Sequence, residues 1–496
     1  MNPIKLHEPK PGKKGVYVAL SHCWGAKDSR PMQTTVDNLN EMKSNIKWED
    51  LSPVFQDSIW LCRRLGVEFL WIDSLCIIQG DEQDWERESS MMAQYYSHAR
   101  FTIAVESSPN GKVSFLKERQ LRWQAQIYPV TDRSGVERRY SVQEHYHLIG
   151  LLPDEINRYF KEGKKLLPSR AWAFQERLLS RRLIRFTPSD IIWQCNGETT
   201  FEHDFLNRVL SFQSVFRDRY YSNPTARQTT NSEEQQLNNT WAEWSSNLHE
   251  YSRRDLTFER DKLPALSGMA TSLENKLKGP YLAGIWADHL PYALCWKRQI
   301  GQVTSRLMPE NTVPSWSWAS LSATAVDYYG DRLDDWQLLP EPQRPQILET
   351  QTCKISDQAP FGRVNGGSIL MEAPLFEASI SLERNGTERP FEVRFRNPDQ
   401  LFCNLTFWED CILDTKGGHA VRAIGSGHKE RVSGPPESFV KSKAWVVWLA
   451  INHEQRWGLV LGKNPQSPDF HRLGILILDT NPKCFRGRPS IRFQLV

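Results

Sequence analysis

The chain reads as an α/β protein at its N-terminus, followed by a helical region and a C-terminal antiparallel β region. Three observations predict this. Continuous apolar runs alternate with helix-period segments through the first two hundred residues. Helical spacing then dominates to about residue 320, and short alternating strand-like runs fill the rest. Continuous runs, rather than alternation, are what parallel strands covered on both faces require.

Val16–Ser21 (VYVALS) is β-branched and aromatic and is closed by Trp24-Gly25, as a buried strand would be. Ser52-Pro53 supplies a helix cap and a proline at the first helical position. Phe55, Ile59 and Cys62 follow at helical spacing, and Gly66 supplies the stop. Phe69–Asp73 (FLWID) is a second strand. Asp84 is expected to cap a further helix, with Trp85, Met92, Tyr95 and Ala99 on one stripe. Phe101–Val105 (FTIAV) is a third strand, Ser169–Ser180 a third helix, and Leu183–Thr187 and Ile191–Cys195 are further strands. Strand, helix, strand, helix, strand is the signature of parallel βαβ units.

Phe205–Tyr221, Trp241–Tyr251 and Asp261–Lys278 carry helical spacing, with Ser222–Asn239 as a polar linker. Ser368–Ala373, Trp445–Ile451, Trp457–Leu461 and Leu473–Asp479 read as strands. The organisation expected is therefore an α/β domain over 1–200, a helical region over 201–320 and a β-rich region over 321–496. A length of 496 residues favours two or three such domains.

Composition excludes several function classes. A net charge of +3, with no sustained basic face beyond the short cluster Lys161–Lys165, does not point to nucleic acid. Nine scattered cysteines without a C-x-x-C pair argue against a zinc site or a disulfide scaffold. Cys62, Cys76 and Cys295 read as small buried hydrophobes. No apolar run reaches the roughly 18 residues of a membrane span, and Met1–Gly15 has no secretory pattern, so a cytoplasmic protein is expected. Most of the 19 tryptophans are expected to fill cores.

Three segments carry a resemblance. YVALSHCWG (Tyr17–Gly25), LWIDSLCIIQGDEQDWERESSMMAQYYSHA (Leu70–Ala99) and SRAWAFQERLLSRRLIRF (Ser169–Phe186) together, in this order, resemble the fungal heterokaryon-incompatibility (HET) domain. YSRRDLTFERDKLPALSGMA, YLAGIW and PSWSWAS resemble stretches that follow it, so the likeness extends to about residue 320. Ile78 departs from the usual Asn, and Ala171 and Ala173 replace the commoner Gly and Thr. The segment before the first strand is short, which suggests an upstream strand outside this sequence.

HET domains have been likened to Toll/interleukin-receptor (TIR) domains, which implies a flavodoxin-like parallel sheet. In TIR domains that cleave NAD⁺, a glutamate of the Trp-x-x-x-Glu helix is catalytic. The matching position here is Glu176, one helical turn after Trp172. A single carboxylate suffices, because nicotinamide leaves as a neutral molecule and only the ribosyl cation needs stabilising. Ligands of open α/β sheets sit beyond the carboxyl ends of the strands. That crevice is expected to gather Trp24, Asp73, Ser74 and Trp172 around NAD⁺ as substrate, with no resident cofactor or metal. Read without the resemblance, Glu176 with Arg177, Arg181 and Arg182 is an ordinary ion-pair helix. Trp24 and Trp172 are then core residues, Asp73 caps the next turn, and Gln79 and Arg170 satisfy loop backbone. His22 and Cys23 are not a nucleophile pair, since neighbours on a strand face opposite ways.

The resemblance thus implies a self/non-self recognition and cell-death effector of filamentous fungi acting by NAD⁺ cleavage. Its alternative is a non-catalytic HET signalling module that works through homo-oligomerisation or contact with other incompatibility proteins.

Overall fold

The computed structural model describes residues 3–10, 12–131, 133–142, 166–202, 232–299, 306–307, 312–322, 324–328, 332–382, 391–395, 405–411, 413–422, 439, 441–479 and 488–496. The chain divides into two compact units, Met1–Ala226 and Arg227–Val496. The helical expectation for 205–221 and the lysine cluster at 161–165 lie outside the described residues.

The first unit is built on a six-stranded sheet: β1 (Tyr17–Ser21), β2 (Phe69–Ile72), β3 (Thr102–Val105), β4 (Arg182–Phe186), β5 (Ile191–Cys195) and β6 (Thr199–Phe201), in the order β2-β1-β3-β4-β5-β6. β1 pairs in parallel with β2 (Leu20 opposite Ile72) and with β3 (Ala19 opposite Thr102), and β3 pairs in parallel with β4. β5 and β6 turn back antiparallel, so the sheet is mixed rather than wholly parallel. The reason is the link between β4 and β5, which is too short for a crossover and permits only a hairpin.

Helices α1 (Pro53–Arg64), α2 (Glu82–His98) and α3 (Ala171–Leu179) cover the sheet. β1 alternates: Val18 and Leu20 pack with Val54, Phe55 and Cys62 of α1, whereas Ala19 packs with Met92 and Tyr96 of α2. α1 starts on Pro53 and stops at Gly66, whose φ of +67° is the left-handed conformation glycine adopts without strain. Ser52 occupies the cap position without making a side-chain capping bond.

The cap of α2 is Asp81, not Asp84. Asp81 accepts from the Gln83 and Asp84 amides, both at 3.0 Å. Asp84 is the third helical residue, buried, and reaches back to accept the Ile78 amide at 2.8 Å. Two acids three apart both fit the pattern, and the first-turn amides bonding to Asp81 decide between them.

Gly25, which closes the first motif, has φ +79°, and a Cβ there would lie 2.5 Å from the Asn110 Cβ. Gly25→Ala is therefore expected to destabilise the unit by about 1–3 kcal/mol, through strain and the clash together. Thermal unfolding checks this; an unchanged midpoint would show that the loop yields. The hairpin Gln126–Thr131 with Glu137–Val142 stands apart from the six-stranded sheet and is exposed along its length.

The second unit opens with α4 (Glu233–Tyr251), which begins inside the stretch expected to be linker. Two 3₁₀ turns and α5 (Ser267–Glu274) replace the longer helix expected over 261–278. The β-rich part is antiparallel at its centre, where Ser442–Asn452, Gln455–Lys463 and Phe470–Leu478 follow as a meander, as the sequence pattern leads one to expect. Twelve of the 19 tryptophans are buried, Trp241, Trp244, Trp286, Trp296, Trp316, Trp318 and Trp457 fully so, and they are mostly core, as composition suggested. No helix among the described residues is long and apolar enough to cross a membrane.

Candidate functional site

The carboxyl ends of β1 and β2, with α3 alongside, gather the polar residues of the first unit. Period-two alternation sends Ser21 to the same face as Ala19, toward α3. Its hydroxyl donates to Glu176 Oε2 across 155 residues of sequence. Glu176 is only 5% exposed, so it does not sit on a surface ion-pair face. The Tyr96 hydroxyl, which donates to the Leu20 carbonyl at 3.1 Å, also bonds to this carboxylate.

Burial, followed by the charge of Asp73, pushes the Glu176 carboxyl up to about 7. The Ser21 hydrogen bond, the Arg170 cation and Tyr96 act in the opposite direction without cancelling it. Near neutrality Glu176 is therefore poised between its two forms, the condition under which a carboxylate works as a base.

Asp73 begins a single helical turn, Asp73–Cys76, at the end of β2. Its Oδ1 accepts the Ser74 amide at 2.7 Å and its Oδ2 accepts the Trp24 indole N–H at 2.9 Å. Satisfying a first-turn amide of that turn is thus one of its tasks, and Asp73 and Trp24 are both half-buried. Arg170, the residue before α3, donates to the His22 carbonyl at 2.7 Å, and Gln79 donates to the Ile77 carbonyl at 2.9 Å. Both satisfy loop backbone in this way.

Ser74 is fully buried, and its hydroxyl donates to the Met32 carbonyl at 3.0 Å. Trp172 packs with Trp85, ring centroids 6.4 Å apart and perpendicular, against the core beneath α2. The structure therefore joins Trp24, Asp73 and Glu176, and leaves Ser74 and Trp172 in supporting positions.

His22 and Cys23 follow Ser21. Burial pushes the Cys23 thiol up to about 11, and burial again lowers the His22 imidazole to about 4, so neither is a reactive ion at neutral pH. Ser21 and Tyr96 belong to the site but were not singled out as site residues by their sequence context. Ser21 is legible only through its strand phase, and Tyr96, buried on α2 with Met92, is not among the stripe of Trp85, Met92, Tyr95 and Ala99 that the sequence pattern marks. Glu106 and Arg185 form a buried bidentate pair, at 2.7 and 2.9 Å, behind β3 and β4. Among the described residues no cluster of side chains could hold a metal ion.

No curated protein and no solved structure matches the chain. Residues 17–176, which run from the first residue of β1 to the buried glutamate of α3, match the family model described as heterokaryon incompatibility protein (HET).

Proposed function

We propose that this HET domain hydrolyses NAD⁺ at its nicotinamide–ribose bond, and that the chain serves heterokaryon incompatibility in this way, as a cytoplasmic cell-death effector. The observation that carries the reading is the buried Glu176 carboxyl, held by Ser21 at the carboxyl end of β1 and beside Asp73. Ligands of open α/β sheets lie at that edge, where the strand order reverses between β1 and β3. The order β2-β1-β3-β4, parallel throughout, supports the flavodoxin/TIR-like reading of the domain.

In this reaction the ribosyl C1′–N bond breaks with its electron pair moving onto the nicotinamide ring, which leaves neutral. Water adds to C1′ and gives up a proton, so the products are ADP-ribose, nicotinamide and H⁺. The Glu176 carboxylate stabilises the ribosyl cation and accepts the water's proton. NAD⁺ consumption by the purified full chain, compared with Glu176→Gln, tests this. Consumption that is absent in the wild type, or equal in the two, sinks it.

The exposed hairpin favours a second reading, a non-catalytic module that recruits partners or further copies of itself. Tyr128 and Tyr140 are paired across the hairpin and share a face with Val130 and Val142, all at least 48% exposed. On that reading, toxicity on expression survives Glu176→Gln and is lost in Tyr128→Asp/Tyr140→Asp.

A further inference from the structure

His22 is the polar side chain of the site whose bonding is incomplete. It is 3% exposed, and neither ring nitrogen has a hydrogen-bond partner among the described residues. A buried polar group in that condition calls for a specific explanation. One flank of the ring is closed by the edge of Phe55, centroids 5.3 Å apart. The backbone is fixed by Arg170 on the His22 carbonyl. Nδ1 faces Asp73 Oδ1 at 3.9 Å, beyond direct hydrogen bonding.

That gap has a definite chemistry. A neutral imidazole offers one donor and one acceptor, and the carboxylate offers acceptors only. Asp73 Oδ2 is engaged by Trp24, and Oδ1 holds the Ser74 amide with a lone pair to spare. An oxygen at about 2.8 Å from each of two atoms 3.9 Å apart makes two hydrogen bonds at nearly a right angle. It must accept from the ring N–H and donate to the carboxylate, which is what a hydroxyl does. A phosphate oxygen has no proton to give, and Asp73 repels it.

We propose that His22 Nδ1 and Asp73 Oδ1 form a hydroxyl-binding subsite that takes a hydroxyl of the nicotinamide-side ribose, and so selects ribosyl over deoxyribosyl substrates. This rests on the NAD⁺ reading above. His22 is then a binding residue on the α1 side of β1, opposite Glu176 on the α3 side. The sugar is oriented between them, its C1′ directed to the glutamate.

The test is calorimetric titration of the full chain with NAD⁺, ADP-ribose, and NAD⁺ analogues lacking the 2′- or the 3′-hydroxyl of the nicotinamide ribose. Wild type is expected to bind NAD⁺ at least about tenfold more tightly than the weaker analogue, the size of one lost hydrogen bond. His22→Phe is expected to erase that discrimination while its thermal midpoint stays level or rises, because an unpartnered polar group has gone. His22→Asn, whose amide reproduces the Nδ1 donor, is expected to restore part of it and covers the case in which the phenylalanine does not fit. Discrimination that persists in both variants overturns the subsite. So does a wild type that binds both analogues as well as NAD⁺, which would mean an internal water only. Binding with discrimination but no cleavage leaves the subsite standing and removes the hydrolysis reading. A wild type that binds none of the four ligands overturns both.

Discussion

Glu176→Gln is expected to lower NAD⁺ consumption by about 10²–10³-fold, the scale of losing one preorganised electrostatic group from a buried site. It is also expected to make the first unit more stable above neutral pH. The carboxyl goes from 4.5 in the open chain to about 7 in the fold, chiefly through burial. The folded state therefore keeps a proton that the unfolded state gives up between these values. Stability declines as pH rises from 4.5 to 7 and levels off above, a total on the order of 3 kcal/mol. Glutamine carries no charge and still accepts the Ser21 hydroxyl, so the variant should show no such decline. Unfolding midpoints between pH 4.5 and 8 check the stability half; parallel curves for the two proteins would contradict it. The activity half has its own signature. Only the ionised carboxylate stabilises a cation, so wild-type kcat/KM should rise with pH along a limb centred near 7. A limb near the ordinary carboxylate value would mean that Glu176 is not the titrating group. Loss of function with gain of stability from one substitution is the mark of a strained site residue rather than a packing residue.

The first unit was largely legible because its parallel strands are covered on both faces. VYVALS, FLWID and FTIAV had to be continuous apolar runs, and each became a strand of the parallel set. Pro53 and Gly66 bounded α1 because their backbone preferences are local. Where the deciding factor was not local, the pattern was ambiguous. Asp81 and Asp84 each fit a helix start, and only the burial of Asp84 and its bond to Ile78 separate the two. The site was legible in its members but not in its wiring. Glu176, Asp73 and Trp24 could be named from motifs, yet the Ser21–Glu176 bond joins positions 155 apart, and it exists because α3 lies against the face that β1's phase assigns to Ser21. The solitary state of His22 is likewise a property of what surrounds it. In the second unit the strand runs stood out, whereas the start of α4 was hidden by its polar, linker-like first two turns.

Arg472→Met is expected to destabilise the second unit by about 3–5 kcal/mol, the range for leaving one member of a buried ion pair without its partner. Arg472 lies on the strand Phe470–Leu478 and is fully buried, like Asp410, which its Nε meets at 2.7 Å and its Nη2 at 3.1 Å. The rest of the guanidinium is also committed: Nη1 donates to the Leu294 carbonyl at 2.6 Å and Nη2 to the Trp296 carbonyl at 2.5 Å. The plane sits 3.4 Å over the Trp296 ring, whose N–H reaches the Trp316 carbonyl at 3.0 Å. One side chain thus ties the strand to the segment around 294–296 and to Asp410, whose own amide also donates to the Leu473 carbonyl at 2.9 Å. Methionine fills much of the volume but strands the Asp410 charge and two carbonyls. Arg472→Lys should recover little, because a point charge cannot reproduce a planar fork engaged on four sides. Adding Asp410→Leu to Arg472→Met should restore part of the loss by removing the stranded charge. It should not restore all of it, since the Leu294 and Trp296 carbonyls still lack donors. Denaturant unfolding of the three variants decides this. Single substitutions that each shift stability by under about 1 kcal/mol would place the pair in the solvated class, and full recovery in the double variant would show that the carbonyl bonds contribute nothing beyond the pair.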